Sequence, residues 1–149
     1  MVDRSHATGL PVLAFADREY TRAELDALIG GMATTLERRG VRAGDRVALM
    51  SSNRPEFVIA MQAIWALGAA VVLVSTSWKR GEVEHALALT TPAHAVGDNA
   101  VLADLMPMLH LDEPVTPGRR EFTAIDPESD ALFVFSSGTT GMPKAVRHT

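Results

Sequence analysis

Apolar positions recur along this chain with two periods, one near 3.6 and one near 2, and the switches between them mark the elements. Leu25, Leu28, Ile29, Met32 and Leu36 fall on one helical face. Thr21 precedes that run with Glu24 three residues on, a capping-box signature, and Gly40 ends the helix. Ahead of it, Val12 to Phe15 and Glu19-Tyr20 predict a short hairpin around Asp17-Arg18. Gly30-Gly31 inside the helix costs about 1 kcal/mol per glycine, which predicts a neighbour packed closely against it.

The same reading continues downstream. Gly44-Asp45 is a turn, and residues 46–52 carry the strand Val47-Ala48-Leu49-Met50. A helix over 54–67 begins with Asn53 as cap, Pro55 in the first turn and Glu56 three residues after the cap. A strand over 70–75 follows, then a helix near 82–89 ended by Thr91-Pro92, a strand over 93–96, a helix over 99–106 and a strand over 108–111. Residues 112–130 turn to Pro, Gly and charge and read as a solvated connector, and 131–135 form a last apolar strand. Strands alternating with helices predict an α/β fold with a mainly parallel sheet, whose ligands gather at the carboxyl ends of its strands.

One segment imitates a membrane span, because Phe57 to Val74 is uncharged and interrupted only by Gln62. Gly68-Ala69-Ala70 divides that run ahead of the β-branched Val71-Val72, so helix and then buried strand is the better reading. Charge and composition remove other classes. The net charge of −4 argues against a nucleic-acid surface, and the absence of cysteine excludes disulfides and thiolate metal sites. His6, His85, His94, His110 and His148 lack ligand spacing, and Met1 to Gly9 has no apolar core of a signal peptide. A cytoplasmic location is the expectation.

The chemistry concentrates after the last apolar strand, in Phe135-Ser136-Ser137-Gly138-Thr139-Thr140-Gly141-Met142-Pro143-Lys144. Glycines let backbone N–H groups converge on an anion, and four hydroxyls and an ammonium add donors, so the ligand class is a polyphosphate. The spacing is not a Walker loop, since Pro143 precedes Lys144 and Ala145 follows it where a hydroxyl would be needed. Neither serine sits in a Gly-x-Ser-x-Gly elbow, and no Gly-x-Gly-x-x-Gly fingerprint is present.

The segment resembles the phosphate-binding signature of the acyl-adenylate-forming (AMP-dependent synthetase/ligase) superfamily, which includes acyl- and aryl-CoA synthetases and peptide-synthetase adenylation domains. The match runs from Ser136 to Lys144 and resumes at Val146 and Thr149, departing at Ala145, where the family usually has glycine. Tyr20-Thr21-x-x-Glu24-Leu25, Gly44-Asp45-Arg46-Val47 and Gly68-Ala69 also resemble the family, whereas Ser75-Thr76 stands where many members carry Asn-Pro. The resemblance implies that Ser136, Ser137, Gly138, Thr139, Thr140, Gly141 and Lys144 contact ATP through its β- and γ-phosphates. It implies Mg²⁺ bound chiefly through those phosphates, a carboxylic-acid substrate and CoA as co-substrate.

In family members the adenine, ribose and acyl pockets come later in the chain. The 149 residues are therefore expected to be the N-terminal part of an AMP-binding domain, ending just after the phosphate loop, with the remainder of the ligase as partner and no activity alone. A stand-alone nucleotide- or pyrophosphate-binding module and a peptide-synthetase adenylation domain are the alternatives. Trp78 and Lys79 invite a partner-facing reading, but a packed aromatic and a solvated lysine are commoner. Arg42, Arg46 and Arg54 invite one as CoA-phosphate contacts, against the commoner solvated face.

Overall fold

The computed structural model describes residues 11–15, 18–118, 131–137 and 143–148. Two short strands, β1 (Pro11–Phe15) and β2 (Arg18–Thr21), pair antiparallel as the expected hairpin. Helix α1 (Arg22–Arg38) starts where the sequence placed it: the Thr21 hydroxyl accepts from the Glu24 N–H at 3.1 Å, and the Glu24 carboxylate accepts from the Thr21 N–H at 2.9 Å. Those two bonds hold the Glu24 carboxyl below its ordinary range, the backbone one contributing most.

Six strands form the main sheet in the order β6-β5-β3-β4-β7-β8. They are β3 (Arg46–Met50), β4 (Ala70–Leu73), β5 (His94–Gly97), β6 (Met108–His110), β7 (Leu132–Ser137) and β8 (Pro143–His148). All neighbouring pairs are parallel except β7 with β8. The connecting helices are α2 (Pro55–Ala66), α3 (Arg80–Thr90) and α4 (Ala100–Leu105).

Period-two alternation sorts the core into two layers. Val47, Leu49, Val71 and Val96 point to one face and pack with Met32, Leu36, Ile59 and Ile64 of α1 and α2. Ala48, Met50, Val72 and Ala95 point to the other, where Val83 of α3 and Leu102 of α4 cover them. The chain crosses from β3 to β4 in one direction and from β4 to β5 and β6 in the other. Helices must then lie on opposite faces to keep one crossover hand.

Two expectations need correction, and one strand was not foreseen. The cap of α2 is Arg54, not Asn53, and it makes no side-chain cap bond. Pro55 explains the shift, because proline fits the first helical position and drives the preceding residue into extended backbone, here φ −151 and ψ 159. Residues 112–118 are not merely solvated: Val115 packs against the α1–α2 layer, and the Gly118 N–H donates to the Ala27 carbonyl at 3.0 Å. The rest of that connector, 119–130, lies outside the described residues. Finally, 143–148 is a strand, with Pro143 at its first position, where a missing N–H is tolerated. Among the described residues no helix is long and apolar enough to cross a membrane; α2 ends at Ala66, before β4 begins.

Candidate nucleotide-phosphate site

The site is built from strand β7 upward. β7 enters the sheet beside β4, with Val71 opposite Leu132 and Val72 opposite Phe133. Its approach is pinned at Ala131, whose carbonyl accepts from the Trp65 indole N–H at 2.6 Å and from the Val71 N–H at 2.8 Å. Phe133 is buried, and the Arg46 guanidinium stacks 4.6 Å from its ring centroid while donating to the Thr90 carbonyl at 2.8 Å. The strand that carries the motif is thus fixed to rigid elements at its start and on one face, as a site requiring precise donors needs.

At its other end β7 turns back into β8. Ser136 faces Lys144 and Ser137 faces Pro143 in the antiparallel register. Three of the seven expected site residues, Ser136, Ser137 and Lys144, therefore come together at the mouth of one hairpin. Gly138, Thr139, Thr140 and Gly141 belong to the connector, 138–142, which lies outside the described residues. The mouth sits at the carboxyl end of β7, which is also the carboxyl edge of the parallel sheet, where ligands of open α/β sheets bind. Lys144 thus lies on one strand and Ser136 and Ser137 on the other.

The neighbouring carboxyl ends are occupied by protein. Between β3 and β5, the Asp98 carboxylate accepts from the Ser52 N–H at 3.0 Å, from the Ser52 hydroxyl and from Arg54 at 3.3 Å. Burial pushes the Asp98 carboxyl up, but the bonds from Ser52 and Arg54 together outweigh it and hold it below its usual value of 3.8. Arg54 also binds Glu56 at 2.9 Å and Asp112 at 2.8 Å, and these bonds, the one to Glu56 first, raise its own pKa. Gly97 lets the two strands approach, since a Cβ there would overlap the Met50 carbonyl.

This network was not legible in the sequence, because its partners lie 44 and 58 residues from Arg54. It also answers the arginine question: Arg54 and Arg46 are half-buried and bound to protein groups, and Arg42 donates to the Glu37 and Val41 carbonyls. None of the three presents an uncommitted guanidinium. Trp78 packs partly buried against the α3–α4 layer, and Lys79 is exposed. Among the described residues no three His, Cys, Asp or Glu side chains gather to hold a metal ion.

The family model described as AMP-binding enzyme matches residues 3–149, and the chain belongs to that family of adenylate-forming enzymes. Triostin synthetase I of Streptomyces triostinicus is 32% identical over 96% of this chain and 31% of its own length. The 2-succinylbenzoate–CoA ligase of Bacillus subtilis strain 168 is 29% identical over 92% of this chain and 30% of its length. Among solved structures, B. subtilis O-succinylbenzoate CoA synthetase (MenE) in complex with AMP superposes with a TM-score of 0.83 at 29% identity, covering 98% of this chain and 40% of that one. The Klebsiella oxytoca NpsA N-terminal subdomain with 3-hydroxybenzoyl-AMSN gives 0.84 at 26% identity, covering 96% and 38%. The chain thus spans under a third of the length of the curated relatives it matches first.

Proposed function

We propose that this chain is the N-terminal, ATP-phosphate-binding portion of a cytoplasmic ATP-dependent acid–CoA ligase. Ser136, Ser137, Gly138, Thr139, Thr140, Gly141 and Lys144 hold the β- and γ-phosphates. The reading is carried by the hairpin register that sets Lys144 opposite Ser136 at the carboxyl edge of the sheet, in a chain of the AMP-binding family. The succinylbenzoate–CoA ligases among its relatives support CoA as the acceptor.

In the reaction a carboxylate oxygen attacks the α-phosphorus of ATP. The bond from that phosphorus to the bridging oxygen of the β-phosphate breaks, and pyrophosphate leaves with the electron pair. Lys144 and the hydroxyls neutralise the charge that grows on the leaving group. The CoA thiol then attacks the acyl carbonyl, loses its proton and displaces AMP. Mg²⁺ supplies further charge neutralisation, bound through the phosphates themselves.

Titration of the ¹⁵N-labelled chain with magnesium-ATP tests the site. The Ser136, Ser137 and Lys144 amides shift saturably if it is correct, and unmoved amides there refute it. Lys144→Ala weakens binding by roughly tenfold to a hundredfold, the loss of a charge-assisted bond worth about 1.5–3 kcal/mol. Carboxylate-dependent ATP–pyrophosphate exchange by the chain alone is expected to be absent.

The identity with triostin synthetase I favours a second reading, an adenylation domain that passes its acid to a carrier protein. The longer ligase separates the two: formation of an acyl-CoA thioester from free CoA supports the first, and amino-acid-dependent exchange without thioester formation supports the second.

A further inference from the structure

A cavity of about 280 Å³ lies between β2, α1, the start of α2 and the 111–115 segment, sharing no residue with 136–144. Its walls are apolar where Leu28, Met32, Ile59, Leu111 and Val115 line it. A wholly apolar cavity of about 150 Å³ already accommodates benzene; here Arg18, Arg54, Glu56, Asp112 and Glu113 share the lining. Tyr20 also lines it, and this side chain is 3% exposed. Among the described residues the Tyr20 hydroxyl has no hydrogen-bond partner, although a buried phenol ordinarily finds one.

The charges at the rim do not select an ion. Arg54 is committed to Glu56, Asp98 and Asp112. Arg18 lies over the Tyr20 ring, 4.9 Å from its centroid, and with Glu113 contributes one charge of each sign. A charged ligand would be drawn by one of Arg18 and Glu113 and repelled by the other, whereas an uncharged one is indifferent to both.

We propose that this cavity binds a small uncharged amphipathic molecule, with an aromatic or alicyclic body and one oxygen that hydrogen-bonds the Tyr20 hydroxyl. The body rests on Met32, Ile59 and Val115. The oxygen satisfies the only buried phenol of the chain, since Tyr20 is its single tyrosine.

That singularity provides the test. The chain labelled with 3-fluorotyrosine gives one ¹⁹F resonance, which is followed during titration with p-cresol and, separately, with toluene. A saturable shift with p-cresol is expected, with toluene binding about fivefold more weakly for want of the oxygen. Met32→Trp, which fills the cavity, abolishes the shift while the circular dichroism stays that of the parent chain. Leu28→Phe serves if that variant does not fold. No saturable p-cresol shift, or one unchanged in the filled variant, overturns the site. Equal affinity for toluene overturns the part assigned to the Tyr20 hydroxyl.

Discussion

Gly31 shows how a single missing methyl can hold a segment in place. A Cβ there would overlap the Thr116 carbonyl oxygen, so the 112–118 segment lies directly on α1. Gly31→Ala gains roughly 1 kcal/mol of helix propensity but incurs overpacking of about 1–3 kcal/mol, and the segment has little freedom to retreat. It is tied at Gly118 to Ala27 and at Asp112 to Arg54. Net destabilisation is expected in a thermal melt. Gly81→Ala is the control, since nothing lies within 4 Å of its Cβ position and the same substitution should raise the melting temperature. Asp98 sets a different sensitivity. Its folded-state pKa is lowered, so on acidification the unfolded chain takes up this proton first. The stability it contributes is full above its ordinary value of 3.8 and is lost as pH falls through the folded value. Asp98→Asn should therefore lower stability at neutral pH and make the acid limb of a melting-temperature profile shallower. An unchanged acid limb would show that Asp98 is not held charged.

At the scale of elements, α1 offers the sharpest test of local coding. Thr21→Ala removes the acceptor for the Glu24 N–H and should cost about 1 kcal/mol, measured by urea unfolding. That cap was legible because both partners lie within four residues. So were the strands β3 to β6, whose alternation fixes which side chains meet which layer; the strand expected over 131–135 runs on through Ser136 and Ser137, so the motif begins inside β7. What could not be read depends on separation. The order β6-β5-β3-β4-β7 follows from crossovers, and the Arg54 cluster joins turns that are neighbours only after the sheet forms. The 112–118 segment was read as solvated because proline and charge dominate it, although Val115 packs on the core and Gly118 and Asp112 tie its ends. β8 was missed because Lys144-Ala145-Val146-Arg147 alternates poorly, and its pairing with β7 supplies what the pattern lacks. Asn53 outranked Arg54 as a cap by propensity, and Pro55 reversed that order.

For the molecule as a whole, the most deeply buried strands and the proposed nucleotide site sit in different parts of one sheet. Val47, Leu49, Val71 and Val72 are fully buried, and they belong to β3 and β4, strands flanked on both sides by others. Backbone exchange there requires opening both layers, whereas among the described residues β8 lies at an edge and the β1–β2 hairpin stands outside the main sheet. Hydrogen exchange should therefore be slowest at the Val71, Val72 and Leu49 amides and fastest in the hairpin. Magnesium-ATP, bound by the folded chain alone, should slow exchange at the Ser136, Ser137 and Lys144 amides by opposing local opening there, and slow Val71 and Val72 only by what it adds to global stability. If Val71 and Val72 slowed while the Ser136, Ser137 and Lys144 amides did not, the nucleotide would be held elsewhere than at the hairpin mouth.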